Sequence, residues 1–403
     1  MLSWEYPPNV IGGLGRHVVE LAPDLARQGI ELHIVTPEPK RQDLPVVVEN
    51  GAVVHRVFAP MRGAEAIDIY SRAIEVNAIL SNYAGRIRET SGRFDLIHAH
   101  DWLTSSAASA LKNIWAVPLI VTIHATERGR ARGHISNDLQ RSIDEVERNL
   151  IYEAWQVIVC SQYMFNEIQY FFQTPASKLT IVPNGVNLTD LQNGYHPDEA
   201  LALRQKYADP DDVIIFTISR LVYEKGVHRL IQAAPQILAE YPQARIIIAG
   251  TGPEADNLKQ QAEALGVLDR VNFTGFISDE DRNHLFKMAA CAVFPSLYEP
   301  FGIVALEAMA LGCPVVVSDV GGFSEVVTHT ETGITIYPDN ADSVAWGVLY
   351  TLNHPDWAQK HALEARRTVQ KLFNWPRIAA LTIETYQHVL AKQASRSETE
   401  ESI

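Results

Sequence analysis

Two glutamates with the chemistry to bind a ligand stand in an otherwise uncharged run, "SLYEPFGIVALEAMALGCPVV", which covers residues 296–316. Seven residues separate Glu299 from Glu307. Helix positions eight apart point about 80° away from each other, so the two acids cannot share one face of a helix. We therefore predict that Glu299 precedes a helix over residues 303–311 and that Glu307 lies inside it.

The start of this predicted helix is a suitable binding site for an anion. Amide groups near Phe301, Gly302 and Ile303 have no carbonyl partner inside the helix, and the helix dipole favours negative charge there. Both glutamates could also accept hydrogen bonds from hydroxyls of one elongated ligand. The alternative is structural: Glu299 stabilises the helix start, and Glu307 pairs with a basic residue of another lobe. Because an unpaired buried charge is strongly unfavourable, either a ligand or a firm partner is needed.

The elements that must position these acids follow from length and pattern. The chain has 403 residues, 47% of them hydrophobic and 20% charged, which predicts two globular domains of roughly 200 residues each. Short apolar runs alternate with amphipathic segments, as in parallel sheets crossed by helices. The predicted strands are 31–37, 52–58, 94–100, 118–124, 156–161 and 179–185, followed by 213–219, 244–250, 270–275, 291–296, 314–319 and 333–338.

This alternation predicts an α/β fold of two doubly wound, Rossmann-like domains, 1–190 and 198–372. The polar stretch near Asn187 to Asp198 is the predicted linker. Only Met1 to Trp4 are available for an opening strand before the glycine loop, which leaves that strand short at most. In such sheets ligands bind beyond the carboxyl ends of the strands, so the loops after the strands are where site residues are expected.

Charge and cysteine usage exclude several classes of partner. The net charge of -14 opposes general affinity for nucleic acid or for an anionic membrane. Three widely spaced cysteines, Cys160, Cys291 and Cys313, lack metal-binding spacing and predict buried thiols in a reducing compartment. No apolar stretch reaches the ~20 residues needed to span a bilayer, and no leader segment is evident. We expect a cytoplasmic protein.

The run around the two glutamates resembles the E-x7-E motif of retaining family-four glycosyltransferases, the glycogen synthase type with the GT-B fold. Further stretches match that family's signatures in order: "GGLGRHV" (12–18), "HAHDW" (98–102), "VTIH" (121–124), "IVPNGV" (181–186), "SRLVYEKGV" (219–227), "AGTGPE" (249–254) and "SDVGGFSEVV" (318–327). The resemblance covers almost the whole chain. It implies two Rossmann-like domains that face each other across a cleft. It also implies a C-terminal helix over about 375–392 that packs back on the first domain. The polar residues 393–403 predict a flexible tail.

The resemblance assigns a donor site to the second domain. Arg220 and Lys225 grip the diphosphate of a nucleotide sugar, since two cations and a helix start neutralise its developing charge without a metal. Glu307 receives the ribose hydroxyls, and Glu299 contacts the transferred sugar near its reacting face. The complete implied donor set is Arg220, Lys225, Glu299, Phe301, Gly302, Ile303 and Glu307 with Gly250 and Gly13. Without the resemblance, Arg220 and Lys225 would more often be ordinary surface charges.

The same resemblance places sugar-side or acceptor-side residues in the first domain. His124 contacts the transferred sugar and supports an oxocarbenium-like transition state, although a lone strand-end histidine is commonly structural. Asp101 orients the acceptor or the sugar, and the alternative is an Asx cap for a helix from Thr104. Gly12 and Gly15 allow the first loop to approach the ligand closely, or simply form a tight turn. The catalytic set is thus Glu299, His124, Arg220 and Lys225.

No metal and no cofactor is expected. The acid groups "DPDD" (209–212) and "DED" (279–281) lie away from the matched motifs and are interpreted as solvated caps. The anomeric configuration is retained in this family. We expect attack on the same face of the sugar, with the leaving diphosphate taking the acceptor's proton.

The acceptor is the open part of the prediction. Glucose moved from ADP-glucose or UDP-glucose to an α-glucan is the first reading, and a mannose or other hexose moved to a lipid or small molecule, GDP-sugar donors included, is the alternative. The "KxGG" opening of bacterial glycogen synthases is replaced by Val10 and Ile11 before the glycines. A basic loop with Arg128, Arg130, Arg132 and Arg141 either covers an acceptor or phosphate or is solvated.

Two other classes remain as alternatives at this point. A nicotinamide dehydrogenase is suggested by a glycine loop, a strand and Glu38, although "GGLG" has the wrong spacing for that fingerprint. A noncatalytic sugar-binding protein with a degenerate site is the other, and the presence of Arg220, Lys225, Glu299 and Glu307 argues against it.

Overall fold

The computed structural model describes residues 1–10, 12–60, 68–188, 191 and 197–400. The chain forms two compact units. Unit 1 consists of Met1–Gly185 and the segment from Trp375, and unit 2 of Val186–Asn374. The linker predicted at 187–198 falls partly on residues outside the described ranges.

Parallel strands form the centre of unit 1. The strands are β1 (Leu32–Glu38), β2 (Val46–Glu49), β3 (Ala52–Phe58), β4 (Ile97–His100), β5 (Leu119–Ile123), β6 (Gln156–Val159) and β7 (Leu179–Ile181). They follow the orders β1-β3-β2 and β4-β5-β6-β7, and only β2 pairs antiparallel. Leu2 forms parallel bridges with both Val35 and Ala99, so the short opening segment joins the two groups of strands.

Helices cover these strands in unit 1. They are α1 (Gly13–Arg27), α2 (Ile69–Ser91), α3 (Ser105–Trp115), α4 (Glu127–Arg130), α5 (Asp138–Glu153) and α6 (Gln162–Phe172). The apolar face of α1, including Val18, Leu21 and Leu25, packs in one core with Trp375 and Ile378 of the C-terminal helix. Burial of these side chains is what holds the returning helix on unit 1.

The C-terminal helix is longer than the sequence suggested. It runs from Trp375 to Glu400, although a flexible tail was predicted from residue 393. Residues 393–400 contain neither proline nor glycine, and the Ser395 hydroxyl donates to the Ala391 carbonyl one turn earlier. Polarity alone therefore misled the prediction, because a polar segment can extend a helix that is already anchored. Residues 401–403 lie outside the described ranges.

Unit 2 contains one parallel sheet in the order β10-β9-β8-β11-β12-β13. Its strands are β8 (Val213–Ile218), β9 (Ala244–Ala249), β10 (Val271–Gly275), β11 (Cys291–Phe294), β12 (Val315–Ser318) and β13 (Ile334–Ile336). Its helices are α7 (Pro197–Tyr207), α8 (Val227–Glu240), α9 (Ala255–Ala264), α10 (Asp279–Met288), α11 (Ile303–Ala310), α12 (Phe323–Val326), α13 (Ala341–Asn353) and α14 (Pro355–Leu372), and the C-terminal helix of unit 1 is α15.

Every apolar run predicted as a strand contains one, and β2 is the strand that the prediction missed. Its residues Val46–Glu49 alternate between exposed and partly exposed positions, so the segment has no buried face to produce an apolar signal. The three cysteines are buried free thiols, as predicted. Among the described helices, none has both the length and the apolar composition needed to cross a membrane.

Candidate active site

The predicted site residues divide between the units. Unit 1 contains Gly12, Gly13, Gly15, Asp101 and His124, and unit 2 contains Arg220, Lys225, Gly250, Glu299, Phe301, Gly302, Ile303 and Glu307. Asp101, His124, Arg220, Gly250 and Glu299 lie in the loops that follow strands, where α/β sheets bind ligands, whereas Gly13, Gly15, Ile303 and Glu307 lie in the helices α1 and α11.

Glu299 lies in the loop between β11 and α11 and is held by two donors. Lys225 Nζ donates to its Oε2 over 2.8 Å, and the Ser296 hydroxyl donates to the same oxygen over 3.2 Å. The side chains of Glu299 and Lys225 are 10% and 19% exposed. The pair is therefore reachable by a ligand, yet each charge is already compensated when the site holds no ligand.

Close backbone packing brings Lys225 to Glu299 from a distant part of the chain. Lys225 ends a short 3-10 turn, and Gly226 follows it with φ of 66°. A Cβ at Gly226 would lie 1.9 Å from the Pro295 carbonyl oxygen, so only glycine permits this approach. The Leu297 amide also donates to the Glu224 carbonyl over 2.8 Å, which fixes the lysine loop against the glutamate loop.

Arg220 follows β8 and is exposed. In the part of the chain that the structure describes, its guanidinium has no ion-pair partner, in contrast to Lys225. Gly250, at φ of 119°, lies beside this loop: a Cβ there would be 1.8 Å from the Ser219 carbonyl oxygen. Packing of two backbones therefore explains the glycine, and donor contact by Gly250 stays a prediction.

Helix α11 begins at Ile303, as predicted, and ends one residue before the predicted Leu311. Gly302 is its N-cap with φ of 102°, and no side chain of the described residues caps this start. A Cβ at Gly302 would come within 2.4 Å of the Phe323 ring. Gly302 is thus required by packing of Phe323, and the helix N-terminus keeps amides that no side chain caps.

Glu307 is buried, with 6% of its surface exposed. Its Oε1 lies 3.5 Å from Arg282 Nη1. Arg282 belongs to α10 and also contacts Asp279 over 2.8 Å. The structural alternative gave Glu307 a basic partner of another lobe; the cation that contacts it here, Arg282, belongs to the same unit. Sequence reasoning missed Arg282 since an acid-rich helix start gives no sign that its arginine points inward.

The glycine loop of unit 1 faces a carboxylate of the chain itself. The Gly12 amide donates to Glu5 Oε2 over 3.0 Å, and α1 begins at Gly13. A Cβ at Gly15 would lie 2.8 Å from Glu5 Oε2. Glu5 thus provides a negative charge at the start of α1, which the helix dipole favours, and close approach of this loop to a ligand stays a prediction. Ile11 lies outside the described ranges.

Asp101 and His124 are joined through the backbone. The His124 amide donates to Asp101 Oδ1 over 2.7 Å, and Asp101 has φ of 55°. Asp101 precedes a 3-10 turn without capping it through its side chain, so the Asx-cap alternative is wrong. Burial raises the pKa of Asp101 to about 6, opposed by the hydrogen bond from the His124 amide. Asp101 therefore positions the end of β5, where His124 stands.

His124 is one of four neighbouring imidazoles that the sequence analysis did not group. Its Nε2 lies 3.1 Å from His100 Nδ1, and the His17 ring is 4.8 Å from the His124 ring, centroid to centroid. His98 stacks on His100 at 4.4 Å. Burial lowers the pKa of His17 to about 3 and of His124 to about 4. Burial also lowers the pKa of His98 and His100 well below the ordinary value, so the cluster is uncharged at neutral pH.

A pattern in the sequence could have revealed part of this cluster. In "HAHDW", His98 and His100 are two positions apart on β4 and therefore point to the same face of the strand. The parallel neighbour β5 ends immediately before His124. His17 comes from α1, and no local spacing relates it to the others.

The basic loop after His124 is neutralised by its own acids. Arg128 contacts Asp144 at 2.5 Å, Arg130 contacts Glu127 at 3.5 Å, and Arg141 contacts Asp138 at 2.6 Å. Arg132 adopts φ of 51°. The Arg128–Asp144 pair joins α4 to α5. The Arg141–Asp138 pair lies within α5 with side chains 62% and 96% exposed, so the solvated alternative holds for that part of the region.

The acid groups interpreted as solvated caps differ from each other. Asp279 and Asp281 lie in the first turn of α10, and the Ser278 hydroxyl caps that helix. Asp212 is buried and accepts from Arg245 over 3.0 Å and from Arg270 over 2.7 Å, so the cap interpretation is wrong for it. Two arginines already neutralise this acid, which makes it a poor candidate for metal binding.

The chain is similar to known proteins over almost its whole length. Residues 11–190 match the family described as Glycosyltransferase Family 4, and residues 200–368 match Glycosyl transferases group 1. An uncharacterized glycosyltransferase of Methanocaldococcus jannaschii is 37% identical, over 96% of this chain and 97% of that protein. A glycogen synthase of Mycobacterium tuberculosis is 34% identical, over 98% of this chain and 95% of that protein.

Solved structures show the same fold. Sucrose-phosphate synthase from Thermosynechococcus elongatus is similar with a TM-score of 0.78 and 26% identity, over 97% of this chain and 96% of that one. The catalytic domain of starch synthase IV from Arabidopsis thaliana, bound to ADP and acarbose, is similar with a TM-score of 0.75 and 18% identity, over 97% and 98%.

These matches confirm the predicted fold class and exclude the dehydrogenase alternative. Glu38, the acid invoked for a dinucleotide fingerprint, instead accepts hydrogen bonds from the Asn9 side chain and the Lys40 amide. The chain belongs to the GT-B glycosyltransferases that join a Family 4 domain to a group 1 domain.

Proposed function

We propose that this glycosyltransferase moves glucose from ADP-glucose or UDP-glucose to an α-glucan, with retention of the anomeric configuration. The observation that carries the proposal is the constellation at the start of α11: the Lys225–Glu299 pair, Arg220, which has no ion-pair partner among the described residues, and helix amides that no described side chain caps. The likeness to a glycogen synthase and a starch synthase supports the choice of a glucan acceptor.

The diphosphate of the donor is the group that this constellation suits best. Arg220 offers a planar set of donors to phosphate oxygens, and Lys225 offers a point charge. When a diphosphate binds, Lys225 Nζ can turn from Glu299 toward the phosphate, since the two atoms are joined by a single 2.8 Å contact. Because two cations and a helix start neutralise the leaving group, the proposed transfer needs no metal.

Glu299 is then released to accept hydrogen bonds from hydroxyls of the transferred hexose. Ser296 continues to donate to the carboxylate and keeps it oriented. Glu307 is proposed to receive the ribose hydroxyls while Arg282 balances its charge. The ligand therefore inserts into existing ion pairs and does not have to neutralise isolated buried charges.

The proposed role of His124 depends on its being uncharged. A neutral imidazole can exchange hydrogen bonds with a sugar hydroxyl, whereas an imidazolium would repel an oxocarbenium-like transition state. Asp101 fixes the His124 backbone, and the His100 ring contacts its Nε2. In the proposed reaction the acceptor hydroxyl attacks from the face that the diphosphate leaves, and its proton passes to a departing phosphate oxygen.

A panel of nucleotide sugars tests the donor. ADP-glucose, UDP-glucose and GDP-mannose are each added to the full chain, with NADH as control, and thermal unfolding is followed. A ligand at 100 times its Kd stabilises the protein by about 2.7 kcal/mol, which gives a clear rise in Tm. We expect ADP-glucose or UDP-glucose to stabilise and NADH to have no effect. If no sugar nucleotide stabilises the chain, the proposed donor site is wrong.

The acceptor and the stereochemistry need a transfer assay. Labelled donor is incubated with a maltooligosaccharide, a monosaccharide phosphate or a lipid in micelles, and the first product is analysed by NMR. Transfer to the maltooligosaccharide with an α-linkage supports the proposal. The alternative is a small or lipid acceptor, and the likeness to sucrose-phosphate synthase supports it. Exclusive transfer to the monosaccharide phosphate or to the lipid would establish this alternative.

A further inference from the structure

The histidine cluster of unit 1 has the composition and geometry of a transition-metal site. His17, His100 and His124 each offer one ring nitrogen, and these three atoms lie within 4.8 Å of one another. His17 and His100 are 3% and 0% exposed. Among the described residues no carboxylate belongs to this group, so the donor set is three imidazoles, which suit Zn²⁺, Co²⁺, Ni²⁺ and Cu²⁺.

The distances within the cluster are close to those that a metal requires. Zinc holds imidazole nitrogens at about 2.0–2.1 Å, so two nitrogens on one tetrahedral ion lie about 3.3 Å apart. His100 Nδ1 and His124 Nε2 are already 3.1 Å apart. One of these two nitrogens carries the proton of their hydrogen bond, so that ring must take its other tautomer, with the proton on the far nitrogen, before both lone pairs can face one ion. The His17 nitrogen, within 4.8 Å of the other two, must also move closer by about 1.5 Å to reach a tetrahedral spacing.

The tautomer of His17 is set for ligation by a partner outside the cluster. Its Nδ1 lies 2.7 Å from Asn184 Oδ1, and because a carbonyl oxygen only accepts, Nδ1 carries the proton. The lone pair is therefore on Nε2. This is the arrangement that metal-binding histidines show, in which the nitrogen remote from the metal donates to an oxygen.

A buried polar atom also lacks a partner in this cluster. His100 Nε2 makes no hydrogen bond among the described residues, although its environment is fully buried. Buried polar atoms are normally satisfied, so the unsatisfied nitrogen indicates that the His100 ring can adopt a second arrangement. A metal that takes one nitrogen of His100 reorients the ring and removes the need for the ring-to-ring hydrogen bond.

We propose that His17, His100 and His124 form a three-histidine site for a divalent transition metal, with Asn184 as the residue that orients His17. The fourth coordination position is open to water or to a hydroxyl of a ligand, as in three-ligand zinc sites. This site is separate in chemistry from any metal on the donor diphosphate, since it contains only nitrogen ligands.

Cobalt binding to the full chain, stripped of metal with EDTA, tests the proposal without any assay of turnover. We expect one Co²⁺ per chain, visible absorption bands typical of a tetrahedral ion, and displacement of the bands by Zn²⁺. His17→Phe keeps an aromatic ring against Trp375 but removes the ligand, so the bands should be lost. His55→Phe is the matched control, because His55 is a buried histidine of the same unit whose Nε2 lies 3.0 Å from His33 Nδ1.

A second variant keeps the test decisive if His17→Phe does not fold. Asn184→Leu leaves all three ligands in place and removes the oxygen that orients His17, so Co²⁺ affinity should fall by about 10–100-fold. The absence of Co²⁺ binding to the native chain, or an affinity unchanged in both the His17 and Asn184 variants, would overturn the proposal.

One consequence rests on the proposed function. If His124 contacts the transferred hexose, a metal on His124 competes with the donor sugar, and Zn²⁺ should inhibit transfer until EDTA is added. Metal binding without inhibition would count against the role of His124 in transfer and leave the metal site intact. Inhibition that persists in His17→Phe would come from another metal site.

Discussion

At the carboxyl ends of their strands, unit 2 pairs its buried carboxylates Glu299 and Glu307 with cations, whereas unit 1 contains a group of uncharged imidazoles. Glu299 has Lys225 at 2.8 Å and Glu307 has Arg282 at 3.5 Å. The rings of His17, His98, His100 and His124 contact one another, and burial lowers the pKa of each. The same α/β architecture thus supports two ways of keeping polar groups out of water.

The two units differ because histidine can lose its proton and become neutral on burial, whereas arginine cannot. Arginine stays charged, and a carboxylate beside it remains ionised, so burial of these groups requires partners of opposite sign. Histidine can release its proton at a modest cost, and buried histidines without a carboxylate do so. Unit 2 is therefore suited to a charged ligand that exchanges partners with its ion pairs. Unit 1 is suited to neutral hydroxyls or to a metal that needs neutral nitrogen ligands.

The largest effect is expected when the charged constellation of unit 2 is broken. Lys225→Ala or Glu299→Ala should lower kcat for sugar transfer by about 10²–10³-fold, the loss typical of one preorganised electrostatic contact. Steady-state kinetics with the best donor measure this. Arg367→Ala is the matched control, since its pair with Glu364 is exposed and lies on α14 of the same unit. Near-normal turnover in both Lys225 and Glu299 variants would remove these residues from the mechanism.

The buried pair of unit 2 should carry a stability effect of its own. Glu307→Ala leaves Arg282 buried with fewer negative partners, and removal of one member of a buried pair costs about 3–5 kcal/mol. Because Arg282 keeps its contact with Asp279, we expect a value near the lower end. Urea unfolding measures it, and the double variant with Arg282→Met should recover part of the loss. Equal stability of the native chain and Glu307→Ala would show that the pair is immaterial to folding.

In unit 1 the link between Asp101 and His124 should have a smaller effect. Asp101→Ala leaves the His124 amide without its acceptor, which costs about 1–3 kcal/mol of unfolding free energy. Asp101→Asn keeps an acceptor oxygen and should be far milder. Burial raises the folded-state pKa of Asp101 to about 6. The free energy of unfolding should therefore fall as pH rises from about 4 through 6, because the unfolded chain loses this proton first. The Asn variant should not show this pH dependence. Comparable unfolding free energies for the Ala variant and the native chain contradict the positioning role.

Measured per pH unit, the smallest effect is the slope of the unfolding free energy that the uncharged cluster produces. The folded-state pKa of His17 is about 3, below the ordinary value of about 6.5, so the stability due to its neutral form is complete above 6.5. It is lost as pH falls from there toward 3, since the unfolded chain binds the proton first. His17→Phe should reduce the slope of unfolding free energy near pH 5 by about 1.4 kcal/mol per pH unit.

Unfolding curves at several pH values between 4 and 7 supply that slope. His388→Phe is the control, because His388 is exposed on α15 of the same unit. An identical slope in the native chain and His17→Phe would mean that His17 is protonated in the folded state, and the contrast between the two units would then be smaller than the structure indicates.

The strands and the start of α11 could be predicted because each depends on a short stretch of sequence. Apolar runs a few residues long mark strands buried on both faces, and the spacing of Glu299 and Glu307 excluded a shared helix face without any tertiary information. The strand Val46–Glu49 and the helical residues 393–400 were missed, since exposed elements carry little periodic signal.

The sequence by itself determined an α/β chain with two sheets, a glutamate on each side of a helix start, and membership of the glycosyltransferases through ordered motifs. Only the tertiary structure decided the partners: Lys225 for Glu299, which are 74 positions apart, Arg282 for Glu307, Glu5 at the glycine loop, and three histidines from α1, β4 and the end of β5. The physical reason is that strand order and the close packing of loops set these contacts. A hydrogen bond between distant residues forms only where the folded backbone brings its two atoms within about 3 Å.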